Sequence, residues 1–136
     1  MTSTTLLCIH DLPQALELRK ATLESQGYSV KIALSGYTAM KMLEHASVAA
    51  VLLDYKLEGI DAEAVACHIK QGFPNLPIIL LSAYSEIPGR ILWLVDEYVM
   101  KSEPPEGLVR ILERAMHRHG PAPRSSERYQ RGGAAA

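Results

Sequence analysis

Four polar residues stand at the ends of apolar runs, and their types define a chemistry. Asp11 follows TLLCIH, Asp54 closes AAVLLD, Ser82 closes PIILLS and Lys101 follows DEYVM. Two carboxylates, a hydroxyl and an ammonium therefore occur in the order D-D-S-K, 43, 28 and 19 residues apart. Two acidic groups brought together repel unless a proton or a cation lies between them, and hard oxygen donors of this kind suit Mg²⁺. Asp11 and Asp54 are the candidate direct ligands. A lysine pairs with whatever negative charge sits beside the metal, and a serine hydroxyl donates to the same group. A carboxylate so held can attack a phosphoryl donor, because phosphoryl transfer rests mainly on positioning and charge neutralisation.

That chemistry requires the four run ends to meet, and the rest of the sequence supplies a way. Short β-branched or leucine-rich runs alternate with segments of helical period, the pattern of strand–helix units that build a parallel sheet. Strands are predicted at Thr5–His10, Tyr28–Ala33, Ala49–Asp54, Pro77–Ser82 and Asp96–Met100. The first, third and fourth are apolar almost throughout, as strands covered on both faces must be. The first helix should bury Leu12, Ala15, Leu16 and Leu23, with Pro13 in its first turn and Gly27 at its end. Ser35 can cap a second helix with Ala39, Met40 and Leu43 inward, and Asp61 a third with Ala62, Val65, Ala66 and Ile69 inward. Pro88 and Gly89 open the fourth crossover and leave only Ile91 to Val95 for a short or irregular helix. A fifth begins near Pro104–Pro105, with Leu108, Ile111, Leu112 and Ala115 on one face, and stops at Gly120–Pro121. In such a sheet ligands bind outside the carboxyl ends of the strands, which is where the four residues fall.

Composition narrows the classes further. With 136 residues, 48% of them hydrophobic and 21% charged, the chain suits one domain with a real core. A formal net charge of -1 and no basic stripe argue against a protein that works by neutralising nucleic-acid phosphates, so direct DNA binding is not expected. Cys8 and Cys67 lack partners at metal-ligand spacing and read as reduced thiols. No stretch reaches the roughly 18 apolar residues of a membrane span, and the N-terminus lacks a basic region with a long apolar run. A cytoplasmic location is expected. Residues 1–119 form the expected domain, and 120–136 (GPAPRSSERYQRGGAAA) a disordered tail with almost nothing to bury.

The joint order of Asp11, Asp54 in VLLDYKLEG, Ser82 in LLSAYSE and Lys101 resembles the receiver domain of two-component response regulators, over about residues 4 to 119. The resemblance implies a doubly wound (βα)5, flavodoxin-like receiver fold. Its five-stranded parallel sheet would have the order 2-1-3-4-5, with helices on both faces. It implies that Asp54 is the phosphoacceptor, and that Mg²⁺ is held by Asp11, Asp54 and the backbone carbonyl of Lys56. Lys101 becomes the phosphate-binding lysine, Ser82 the switch hydroxyl with the small Ala83 after it, and Tyr98 the switch aromatic. His10 stands where the family has the first of two acidic residues, as a partner behind the metal ligands or a solvated spectator. A Lys-Ser-Glu sequence at 101–103 replaces the usual Lys-Pro.

The implied function is a stand-alone phosphoacceptor in His-Asp phosphorelay signalling, charged by a sensor histidine kinase or phosphotransfer protein and acting on a downstream protein. It would not be an enzyme beyond phosphoryl transfer to itself and its reversal. The substituted acidic pair supports a second reading, a non-phosphorylated receiver-like interaction module. A flavodoxin-like electron carrier fits poorly, because the first turn His10-Asp11-Leu12-Pro13 would repel a phosphate. A hydrolase with an Asp-x-Asp pair is disfavoured by Lys56. Trp93 and Tyr84 suit either a partner surface or partly buried packing.

Overall fold

The computed structural model of the chain describes residues 4–10, 12–55, 61–83 and 85–118. Asp11, Lys56, Tyr84 and the segment 120–136, all of which carry expectations above, lie outside the described residues. The elements run β1 (Thr5–Ile9), α1 (Pro13–Ser25), β2 (Ser29–Ala33), α2 (Gly36–His45), β3 (Ala50–Asp54), α3 (Ala62–Gly72), β4 (Ile78–Ser82), α4 (Gly89–Leu92), β5 (Glu97–Met100) and α5 (Pro105–Arg118). The strands pair in parallel in the order β2-β1-β3-β4-β5, so the order reverses after β1 and leaves a crevice between β1 and β3.

Side-chain alternation along each strand divides the core into two layers. Leu7, Ile9, Val51, Leu53, Ile78 and Leu80 pack with Ala39 and Leu43 of α2, Val65 and Ile69 of α3, and Ile91 of α4. Leu6, Cys8, Leu52, Ile79, Leu81 and Val99 face the other way, onto Leu16 and Leu23 of α1 and Leu112 and Ala115 of α5. The helix starts are signed locally. Ser35 Oγ accepts from the Thr38 N–H at 3.1 Å, and Asp61 Oδ1 accepts from the Ala64 N–H at 3.2 Å. Gly27 takes φ of +100°, a left-handed turn that returns the chain from α1 to β2. Away from the site, Asp96 Oδ2 accepts from the Ile78 N–H at 2.8 Å and from Lys70 Nζ at 2.9 Å, which ties the entries of β4 and β5 together.

Two local expectations are corrected. Leu12 does not join the buried face of α1; it is extended (φ -109°, ψ 115°) and 55% exposed, because a residue before proline is driven out of helical geometry. The fourth helix covers Gly89–Leu92 instead of Ile91–Val95, with Pro88 at its N-cap, where a fixed φ of -55° suits helix entry. Leu94 and Val95 instead pack against the core beside Ile91. Trp93, at the end of this turn, is 89% exposed and does not pack inward.

Burial pushes the Cys8 thiol from its ordinary 9.0 up to about 12, with the nearby Asp54 adding to the rise and Arg19 opposing it. A raised pKa means the folded state keeps a proton that the unfolded chain loses. The contribution is therefore complete below pH 9 and disappears as pH rises toward 12, at up to about 1.4 kcal/mol per pH unit. Denaturant unfolding of wild type and Cys8→Ala between pH 8 and 11 should show this extra loss above pH 9 in wild type alone; parallel curves would refute it.

Candidate functional site

The sheet delivers its polar residues to one edge because the hydrogen-bond ladder continues past the strand ends. The His10 N–H donates to the Ala33 carbonyl at 3.1 Å, the Tyr55 N–H to the Leu81 carbonyl at 2.8 Å and the Lys101 N–H to the Ser82 carbonyl at 2.8 Å. Asp54 is level with Leu81, and Ser82 with Met100. Alternation then decides which side chains meet. Asp54 shares the parity of Leu52, and Lys101 that of Val99, so both turn toward the α1–α5 layer.

Asp54 is wholly buried, and two cations close on its carboxylate. Lys101 Nζ lies 3.0 Å from Oδ1, and Arg19 Nη1 donates to Oδ2 at 2.6 Å. Oδ1 has no hydrogen bond of good geometry, so Lys101 serves it as an ion-pair partner only. His10 is also buried; its Nδ1 accepts from the Leu12 N–H at 3.1 Å, which assigns the ring proton to Nε2, the nitrogen 3.9 Å from Asp54 Oδ2. His10 is thus a structured neighbour of the carboxylate, not a solvated spectator.

Ser82 is wholly buried at the end of β4 and lies on the opposite layer from Asp54, with Leu80. Tyr98 pairs in register with Leu80, is half-buried, and donates its hydroxyl to Met100 Sδ at 3.0 Å. Met100 is the register partner of Ser82 and lies two residues from Tyr98 on β5, so the three share one face of the sheet. The two expected groups therefore separate by face: Lys101 with Asp54, and Tyr98 with Ser82.

Arg19 was absent from the sequence-based set, although the sequence held a signal for it. It sits at the i+3 position between Leu16 and Leu23, both fully buried, on the inward stripe of α1. A charged residue in such a stripe needs a buried partner.

The expected Mg²⁺ can be tested against the donors. Asp54 offers a hard carboxylate with a buried oxygen that accepts no hydrogen bond, which fits the ion. Among the described residues no group of three or more His, Cys, Asp or Glu side chains gathers to hold a metal. The remaining expected ligands, Asp11 and the carbonyl of Lys56, lie outside the described residues.

A five-strand doubly wound sheet with a buried aspartate at its switch-point edge and a lysine from the far strand is the receiver arrangement that the sequence resembles, and comparison with known proteins agrees. Residues 6–113 match the family model of the response regulator receiver domain. The transcriptional regulatory protein GlrR of Escherichia coli is 28% identical over 128 residues, covering 92% of this chain and 28% of that protein. TcrA of Mycobacterium tuberculosis, also named a transcriptional regulatory protein, is 30% identical over 122 residues, 88% of this chain and 48% of that one. Among solved structures, the response regulator protein TrrA of Thermotoga maritima, in complex with Mg²⁺–BeF, superposes with TM-score 0.75 at 32% identity. That match covers 82% of this chain and 98% of the other. The chain belongs to the response regulator receiver domain family of two-component signalling. It spans about a quarter of GlrR and about half of TcrA.

Because Asp54 is the buried charge on which Arg19 and Lys101 both converge, Asp54→Ala should leave two cations facing each other. We expect a loss of roughly 2 kcal/mol in denaturant unfolding, discounted for the partial exposure of both cations. A gain in stability would refute this account of the ion pairs.

Proposed function

We propose that Asp54 accepts a phosphoryl group from a sensor histidine kinase or phosphotransfer protein, and that the acyl phosphate changes how this domain engages a downstream protein. The observation that carries the reading is the fully buried Asp54 carboxylate with Lys101 Nζ at 3.0 Å. A carboxylate oxygen of Asp54 attacks phosphorus, the bond from phosphorus to the donor's nitrogen or oxygen breaks, and the leaving group departs with that electron pair. Lys101 reaches across from β5 to the phosphoryl oxygens as the carboxylate charge is replaced by phosphate charge. Asp11, Asp54 and the carbonyl of Lys56 would hold Mg²⁺, which supplies charge neutralisation for the transferred group. The chemistry ends there, in self-modification and its hydrolytic reversal.

Signal output follows from the division of the site between two faces. Ser82 and Tyr98 lie on the layer away from Asp54, joined through Met100. Phosphate that draws Ser82 toward Asp54 would alter the packing around Tyr98 and shift weight between two conformations. The face so affected carries the short α4 and the exposed Trp93. The same reading ends the receiver at residue 119 and assigns no direct DNA contact to it. No described helix is long and apolar enough to cross a membrane, and both cysteines are free thiols, which supports a cytoplasmic setting.

Incubation with a small phosphodonor and Mg²⁺ should add one phosphoryl mass to wild type and none to Asp54→Asn, and the adduct should be labile to hydroxylamine. Absence of the adduct would favour the receiver-like interaction module. In the phosphorylated protein, amide signals of residues 85–112 should shift. Changes confined to α1 and the crevice would overturn the proposed Ser82–Tyr98 route.

A further inference from the structure

We infer that Arg19 is a built-in competitor for divalent metal at Asp54: its guanidinium occupies Oδ2 while the Lys101 ammonium sits against Oδ1, and Mg²⁺ gains the carboxylate only when Arg19 withdraws. The inference rests on the reading of Asp54 as a metal-binding phosphoacceptor and adds a residue which that reading does not use. The geometry is direct. Nη1 donates to Oδ2 at 2.6 Å, the shortest contact to the carboxylate, while Lys101 holds the other oxygen at 3.0 Å. Both oxygens of a buried carboxylate are thus matched by fixed cations, and a third cation adds repulsion unless one leaves.

Charge counting points the same way. Asp54 against Arg19 and Lys101 leaves one net positive charge among the described residues, and His10 adds no negative charge where an acidic residue would bring the sum to zero. Arg19 and His10 together therefore lower the attraction for a divalent ion. The proposed function assigns Lys101 to the phosphoryl group, which leaves Arg19 as the cation that yields.

Arg19 also has somewhere to go. It lines a cavity of about 230 Å³ between α1 and α5, bordered by Leu18, Thr22, Leu108 and Glu103. Glu103 lines the same cavity, so an acidic residue borders the space into which the released guanidinium would move. Arg19 is anchored on α1, so its departure from Asp54 carries the occupancy of the site to that helix, on the face opposite Tyr98.

Mg²⁺ binding to the full chain, followed by titration calorimetry, tests this without reference to phosphorylation. Arg19→Gln should bind Mg²⁺ about tenfold more tightly than wild type. Arg19→Lys, which keeps the charge, should stay near wild type, and Asp54→Asn should lose binding. Equal affinity in wild type and Arg19→Gln, with binding still lost in Asp54→Asn, overturns the competition and leaves the metal role of Asp54 standing. Undiminished binding in Asp54→Asn overturns both. If Arg19→Gln fails to fold, the Arg19 Nε–H resonance of wild type decides. It should move with the same midpoint as metal binding, and a resonance that stays fixed as the metal saturates would exclude displacement.

Discussion

Everything at the carboxyl edge of the sheet answers to one constraint, the charge of Asp54 at the end of a strand with no solvent contact. Its four predecessors Ala50, Val51, Leu52 and Leu53 are fully buried hydrophobics, so the carboxylate closes a strand that is otherwise core. A charge in that setting is tolerated only when opposite charge or hydrogen-bond donors reach it. Arg19 from α1 and Lys101 from the far side of the sheet supply the charge, and His10 supplies a ring N–H at the margin of reach. The same arrangement would make the carboxylate responsive to the proposed modification, because a phosphate in place of its single charge would meet three partners at once.

Two layers and two faces organise what happens next. The parity that sends Asp54 and Lys101 toward α1 and α5 sends Ser82 and Tyr98 toward α2, α3 and α4. The site therefore has access to both sides of the sheet through adjacent strand ends, one side through Arg19 and the other through Ser82. Rigid positioning underlies this, since the parallel ladder extends one bond beyond β1, β3 and β5 and leaves these side chains little freedom in depth. At the other end of β4 and β5, the Asp96 carboxylate bridging Ile78 and Lys70 holds the register that sets Ser82 beside Met100.

The sequence by itself determined the five strand–helix units, the caps at Ser35 and Asp61, the turn at Gly27 and the strand-end positions of Asp54, Ser82 and Lys101. These are local properties: apolar runs, helical period, side-chain oxygens before a helix and a residue free to take positive φ. Where local reading went astray, the cause was local too, a proline that forced Leu12 outward and another that moved α4 toward the N-terminus. Only the tertiary structure decided which cations meet Asp54. Arg19 and Asp54 are 35 residues apart, and nothing in either neighbourhood names the other. Their contact depends on the pitch of α1 across the sheet and on the parity of β3, quantities set when the layers pack. An arginine between two buried leucines announces that a buried partner must exist, and the fold alone says which one.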